Sequence, residues 1–223
     1  MKKKIEIIAE AGLNHNGIFK NALKLVKIAK EAKADYVKFQ LFKTENFINK
    51  NFKHHKVNYK KTYQRFKSLE FSLDQWTKIV DFAKKIKIKI FFSVFDLESL
   101  KILKKLKIKI VKIPSGEINN LHLLDAIRKS KLKVILSTGM CNISEISEAI
   151  KKLKNCKINL MHCVSEYPAQ KPNLKLIKIL KDRFKINVGY SDHTKDTFTP
   201  ALAVIAGANM IEKHFTYNKN QKI

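Results

Sequence analysis

Apolar and polar positions in this chain repeat as a unit: a short apolar run of strand length, a polar cluster at its carboxyl end, then a longer stretch with helical spacing. Ile7-Ile8-Ala9 leads into Glu10, Tyr36-Val37 into Lys38-Phe39-Gln40, and Ile110-Val111 into Lys112-Ile113-Pro114-Ser115-Gly116-Glu117. Val134-Ile135-Leu136 leads into Ser137-Thr138-Gly139-Met140, Val188-Gly189-Tyr190 into Ser191-Asp192-His193-Thr194, and Met210-Ile211 into Glu212-Lys213-His214-Phe215. The pattern predicts strands near 5–9, 35–40, 88–93, 108–113, 133–137, 157–162, 186–189 and 208–212. Helices are predicted between them, from Asn21 to Ala32, Leu73 to Ile86, Leu97 to Leu106, Leu121 to Ser130, Ser144 to Leu153, Leu174 to Phe184 and Thr199 to Ala206. Ser72 ahead of Asp74-Gln75, and Asn142 and Ser144 ahead of Glu145, are helix start signals.

Parallel strands that all end in polar residues predict a TIM-type (β/α)8 barrel, because that fold gathers its chemistry at the carboxyl ends of its strands. Eight strands and seven helices leave the pattern one final helix short. The stretch from Lys43 to Leu69 is the one long connection, rich in Lys, His, Asn and Tyr, and is expected to form a lid or substrate wall. His54 and His55 within it are expected to be solvated.

Composition adds bounds. The 223 residues, 45% hydrophobic and without a linker-like break, predict a single domain over 1–223. The Lys-rich N-terminus lacks the apolar core of a signal peptide and no run is long enough to span a bilayer, so a cytoplasmic protein with no membrane partner is expected. Cys141, Cys156 and Cys163 are odd in number and without metal spacing, which fits free thiols. The net charge of +27 raises nucleic acid as a partner. Against it, only Arg65, Arg128 and Arg183 of the 46 basic residues are arginine, and the lysines are spread over nearly every helical segment. That dispersal reads as solvated helix faces, with a general attraction for anionic substrates.

Lys38 and Lys112 end different strands among apolar neighbours, so both are expected to point inward. Buried ammonium groups without partners are costly, which makes an anionic ligand their natural counterion. Ser115-Gly116, Ser137-Thr138-Gly139 and Ser191 add the hydroxyl and backbone donors that hold phosphate or carboxylate. His193 and His214 end the last two strands, with Asp192 and Glu212 beside them, and could share one metal ion. His162 fits the pocket wall and the core equally.

These motifs together, with Ile7-Ile8-Ala9-Glu10-Ala11-Gly12-Leu13-Asn14-His15-Asn16-Gly17, Leu160-Met161-His162-Cys163 and Ser165-Glu166-Tyr167-Pro168, resemble the sialic acid synthase family, the N-acetylneuraminate, legionaminate and pseudaminate synthases. The resemblance runs from about residue 5 to residue 220. It implies metal-dependent condensation of phosphoenolpyruvate with an open-chain N-acetylated aminosugar, N-acetylmannosamine-like, to a nine-carbon 2-keto sugar acid with release of phosphate. Carried over motif by motif, it implies that Lys38, Lys112, Ser115, Ser137, Ser165 and Ser191 hold phosphoenolpyruvate. By the same carry-over, Glu10, Gln40, Ser93 and Tyr167 face the sugar, and His193 and His214 bind Mn²⁺ or Mg²⁺. Glu10, Glu117 and Lys112 are the implied catalytic residues, Glu117 in proton transfer. It also implies a homodimer in full-length members. The family continues past Glu212-Lys213-His214-Phe215-Thr216 into a closing barrel helix and an antifreeze-like domain, so a sheet edge left open beside the last strands is expected here. The alternative is a truncated, catalytically impaired barrel that only binds anionic ligands or a partner.

Overall fold

The computed structural model describes residues 4–49 and 58–218. Eight parallel strands close into a barrel in chain order: β1 (Glu6–Gly12), β2 (Tyr36–Leu41), β3 (Lys89–Val94), β4 (Ile110–Ile113), β5 (Lys133–Ser137), β6 (Ile158–Cys163), β7 (Val188–Asp192) and β8 (Met210–His214). Around it run α1 (Phe19–Glu31), α2 (Thr44–Phe47), α3 (Tyr59–Ser68), α4 (Leu73–Lys85), α5 (Leu97–Lys105), α6 (Leu121–Lys129), α7 (Ile143–Lys152), α8 (Lys175–Phe184) and α9 (Thr199–Ile205).

Period-two alternation sorts each strand. Val37, Phe39 and Leu41 of β2 are buried under the helices, while Tyr36, Lys38 and Gln40 line the barrel's inner cavities. Ile110 and Lys112 of β4, Ile135 and Ser137 of β5, and Met210 and Glu212 of β8 follow the same rule. The apolar halves of these strands pack against Leu25, Val26, Ile79, Leu100, Leu103, Leu123, Leu124, Ile127 and Ile177 of the helices in one continuous core.

Helices α4 and α7 begin with capping boxes, Ser72 with Gln75 and Asn142 with Glu145, as the start signals predict. Their ends follow a different rule. In α4 the Ile88 N–H donates to Ala83 O at 3.0 Å and the Lys87 N–H to Lys84 O at 3.0 Å, the paired bonds of a Schellman turn. The same pairs close α1 at Lys33-Ala34, α5 at Lys107-Ile108 and α9 at Gly207-Ala208. The turn requires a left-handed residue, and glycine fills it only after α9; Lys33, Lys87 and Lys107 take it at φ 59°, 59° and 57°. Lysine meets the steric cost of that region, and its long side chain stays in water.

The expected open edge is corrected by the pairing of β1 with β8 over Glu6↔Met210 to Glu10↔His214, which leaves the sheet without a free edge. Among the described residues none after β8 is helical. The 43–69 connection is also not a bare loop: it carries α2 and α3, and Phe42, Phe47, Phe66 and Phe95 pack together, with the Phe47 and Phe95 rings 5.1 Å apart. His54 and His55 lie outside the described residues. No helix among the described residues is long and apolar enough to cross a membrane.

Left-handed lysines give a test of the helix ends. Lys87→Gly and Lys107→Gly are each expected to stabilise the fold by about 1 kcal/mol, the penalty a Cβ meets in that conformation. Urea denaturation of the single and double variants measures it. Loss of stability in both singles would show that the lysine stems contribute more than the strain costs.

Candidate active site

Strand register assembles the site. Glu10 of β1 lies beside Lys38 of β2 on one side and His214 of β8 on the other. Gln40 pairs with Ser93 and Ser93 with Lys112 across β2, β3 and β4. Cys163 pairs with Ser191 and Ser191 with Glu212 across β6, β7 and β8. The carboxyl-end mouth is therefore a cavity of about 370 Å³ lined by Glu10, Lys38, Gln40, Ser93, Lys112, Ser115, Ser137, Ser165, Tyr167, Ser191, His193 and His214. Of the residues that the resemblance assigns to catalysis, substrate or metal, Glu117 alone does not line it. Glu117 sits in the short turn after β4, where its carboxylate accepts the Asn120 amide at 2.8 Å. Burial raises its pKa.

Each of the two lysines has a carboxylate partner within the protein. Lys38 Nζ lies 2.6 Å from Glu10 Oε2 and 3.7 Å from Glu212 Oε2, and it donates to Ser93 Oγ at 2.9 Å. Lys112 Nζ donates to Glu212 Oε1 at 2.5 Å. All four charged groups are buried, and two ammonium groups against two carboxylates leave the cluster neutral. Burial opposes the charged form of Lys112, but Glu212 and Glu10 outweigh it and raise its pKa. Burial likewise opposes ionised Glu212, and Lys112 and Lys38 reverse the sign, holding its pKa well below the usual carboxylate range. Glu212 was named from the sequence only as a neighbour of the histidines, not as the partner of the lysines. Its signal was the two-residue step to His214, which puts both on the inner face of a strand running two residues past its expected end.

His193 is oriented from behind. Its Nδ1 lies 2.6 Å from Val164 O, which assigns the proton to that nitrogen and leaves Nε2 as an acceptor for the Tyr167 hydroxyl at 3.0 Å. The Tyr167 ring stacks on it with centroids 4.1 Å apart. Burial lowers the His193 pKa to about 4, and desolvation lowers that of His214, which faces the open cavity, so both present neutral imidazoles near pH 7. Their ring centroids are 5.9 Å apart, a span that one ion with two Zn-like bonds of about 2.1 Å can bridge. A carbonyl-anchored imidazole is the usual arrangement of a metal ligand, and this donor set fits a divalent ion. No cluster of three or more His, Cys, Asp or Glu ligands exists among the described residues, so other positions would fall to substrate or water.

Asp192, expected beside these histidines, points the other way: it pairs with Lys213 and accepts the Thr194 N–H. His162 resolves to the core, buried with Nε2 2.9 Å from Pro172 O. Two lining residues escaped the sequence reading. Cys163 touches Ser137 Oγ at 3.4 Å and Ser115 Oγ at 3.5 Å, and Phe95 joins the cavity wall to the aromatic packing of the 43–69 connection. Gly139 is fixed by crowding, since a Cβ there would meet Ser165 Oγ at 2.5 Å and Cys163 Sγ at 2.6 Å.

A barrel with charged, hydroxyl-bearing and imidazole groups converging on the carboxyl-end mouth has the construction of an enzyme that handles an anionic substrate. The NeuB family profile matches residues 25–223, and the chain belongs to that family. It is 47% identical to the N,N'-diacetyllegionaminic acid synthase of Campylobacter jejuni over 98% of this chain and 69% of that protein. It is 42% identical to the synthase of the same name from Legionella pneumophila over 96% of this chain and 64% of that protein. The chain thus spans about two thirds of these relatives' length. The crystal structure of N-acetylneuraminic acid synthetase from Leptospira borgpetersenii, in complex with citrate, superposes with a TM-score of 0.90 at 38% identity, covering 96% of this chain and 74% of that one.

Two outcomes follow from the electrostatics. Glu212→Gln leaves buried ammonium groups short of a partner and is expected to cost about 3 kcal/mol. The double variant Lys112→Met/Glu212→Gln should cost less than the sum of the singles in a denaturation cycle, and simple additivity would show that the pair is uncoupled. Acid stability is set in part by His15, fully buried against Phe71 and Trp76, whose pKa burial lowers to about 4. Between about pH 4 and 6.5 the unfolded chain binds a proton there that the native state does not, so stability falls as pH falls, by up to about 1.4 kcal/mol per unit. His15→Phe should flatten that part of a pH series of urea midpoints; an unchanged slope would assign the acid sensitivity elsewhere.

Proposed function

We propose that the chain condenses phosphoenolpyruvate with an open-chain N-acetylated aminosugar, giving a nine-carbon 2-keto sugar acid and phosphate. The observation that carries the reading is the convergence of the Glu10–Lys38–Glu212–Lys112 cluster, three strand-end serines and two neutral histidines in one cavity. Membership of a family whose relatives are named as synthases of such acids supports it.

In this reading Lys38 and Lys112 bind the donor's phosphate and carboxylate, and Ser115, Ser137, Ser165 and Ser191 donate to their oxygens. The ammonium groups exchange part of their contact with Glu10 and Glu212 for the ligand, so the carboxylates become free to take protons. Glu10, beside Gln40 and His214, would serve the sugar's reacting end. Gln40, Ser93 and Tyr167 orient the aldehyde, and the serine and lysine contacts turn a bimolecular encounter into an oriented one. The donor's enol carbon attacks the aldehyde carbon. Water then adds to the former enol carbon, and the adduct collapses with C–O cleavage to release phosphate. His193 and His214 would hold Mn²⁺ or Mg²⁺, which when bound supplies Lewis-acid polarisation of the aldehyde oxygen.

A phosphate-release assay with phosphoenolpyruvate, N-acetylmannosamine and Mn²⁺ tests the reading, with mass spectrometry of products from a panel of N-acetylated aminosugars to fix the acceptor. Lys112→Ala is expected to raise the KM for phosphoenolpyruvate by tenfold or more, about 1.4 kcal/mol of lost binding. His214→Ala is expected to abolish metal-stimulated turnover. Full activity of both variants in the presence of a chelator would overturn the assignment, and phosphoenolpyruvate binding without turnover for any acceptor would favour an anion-binding barrel.

A further inference from the structure

The opposite mouth of the barrel is built unlike a packed floor. Inward positions at the amino ends of barrel strands are ordinarily filled by branched apolar side chains. Here Glu6, Tyr36, Lys133, Asn159 and Asn187 stand around a cavity of about 290 Å³ with an apolar base that includes Phe91 and Met210. Asn209 Nδ2 donates to Asn159 Oδ1 at 2.9 Å and Asn159 Nδ2 to Leu160 O at 3.0 Å. Asn209 Oδ1 is buried and accepts no hydrogen bond among the described residues, so the amide group ends in an unused acceptor.

Lys133 and Lys157 line this cavity and also a second groove of about 520 Å³ beside it. That groove holds Arg128, Lys129, Lys131 and Lys154 as well, and no acidic residue lines it. Arg128 and Lys129 share Asp125, whereas Lys131, Lys133, Lys154 and Lys157 form no ion pair with any described residue. Two different chemistries are therefore contiguous: a half-open cavity with aromatic and amide walls, and an open groove in which four lysines form no ion pair with a described residue.

We propose that this mouth is a binding site for a nucleoside phosphate. The base would lie in the cavity, where the amides of Asn159, Asn187 and Asn209 offer the donor and acceptor edge that bases match. The phosphate would lie in the groove on Lys133, Lys157 and Lys131. A free sugar or an apolar molecule would leave the lysines unused, and inorganic phosphate would leave the cavity unused. The site is independent of the reaction read at the carboxyl-end mouth.

Isothermal titration of the full chain at 0.2 M salt with AMP, GMP, CMP and UMP, their nucleosides and inorganic phosphate tests this. The expected result is that at least one nucleotide binds about tenfold or more tighter than both its nucleoside and phosphate, a difference of about 1.4 kcal/mol or more. Binding should survive Lys112→Met, weaken about tenfold or more in Lys133→Glu/Lys157→Glu and in Asn187→Ala/Asn209→Ala, and stay unchanged in the remote control Lys20→Glu/Lys175→Glu. Phosphate-release activity, if present, should be unaffected by Lys133→Glu/Lys157→Glu at saturating substrate. The proposal is overturned if no nucleotide binds below about 1 mM. It is equally overturned if phosphate alone binds as tightly, if Lys112→Met abolishes binding, or if the remote control weakens it as much as the mouth variants.

Discussion

The buried exchange of charge among Glu10, Lys38, Glu212 and Lys112 is the constraint around which the rest of the barrel is arranged. Four ionised groups taken out of water are tolerable only if each meets an opposite charge at close range. Ser93 accepts from Lys38 and Ser191 donates to Glu212, both from strands adjacent to the charged residues, while Glu10 Oε2 and Glu212 Oε2 have only the lysine charges to face. Strand register has to be right to within one residue for this to work, because a slip of one turns every inner side chain outward. The polar interior thus selects a single closed pairing where an apolar interior would accept several.

The helices and connections serve that arrangement from outside. Val164 fixes the tautomer of His193 from the segment after β6, and Tyr167 from the same segment covers its ring. Asp96 caps α5 and accepts the Lys43 backbone N–H, tying the start of the 43–69 connection to the end of β3. Glu70 receives Thr44 N–H at the other end of that connection. Phe95 then passes this packing to the cavity wall, so the connection is anchored where it meets the site.

Most of this was legible because strand ends carry two kinds of information at once. The apolar run marks the strand, and the first polar residues of matching parity mark what faces the mouth. Lys38, Lys112, Ser137, Ser191 and His214 all followed from that rule. Glu117 did not, since the chain turns after Pro114 and parity has no meaning in a 3-10 turn. The internal carboxylate partners of the lysines went unread for a related reason: residues 100 positions apart, such as Lys112 and Glu212, are joined by closure of the sheet, which local pattern does not reveal. Helix α3 was missed because none of its residues is buried; its aromatic side chains pack on other parts of the connection and not on the core, so no core-facing stripe marks it.

Pairing of β1 with β8 joins the first strand of the fold to its last, and Glu212 arrives only with that last strand. A barrel without β8 would set two inward lysines against the single carboxylate of Glu10, so closing the sheet and neutralising its interior are one event.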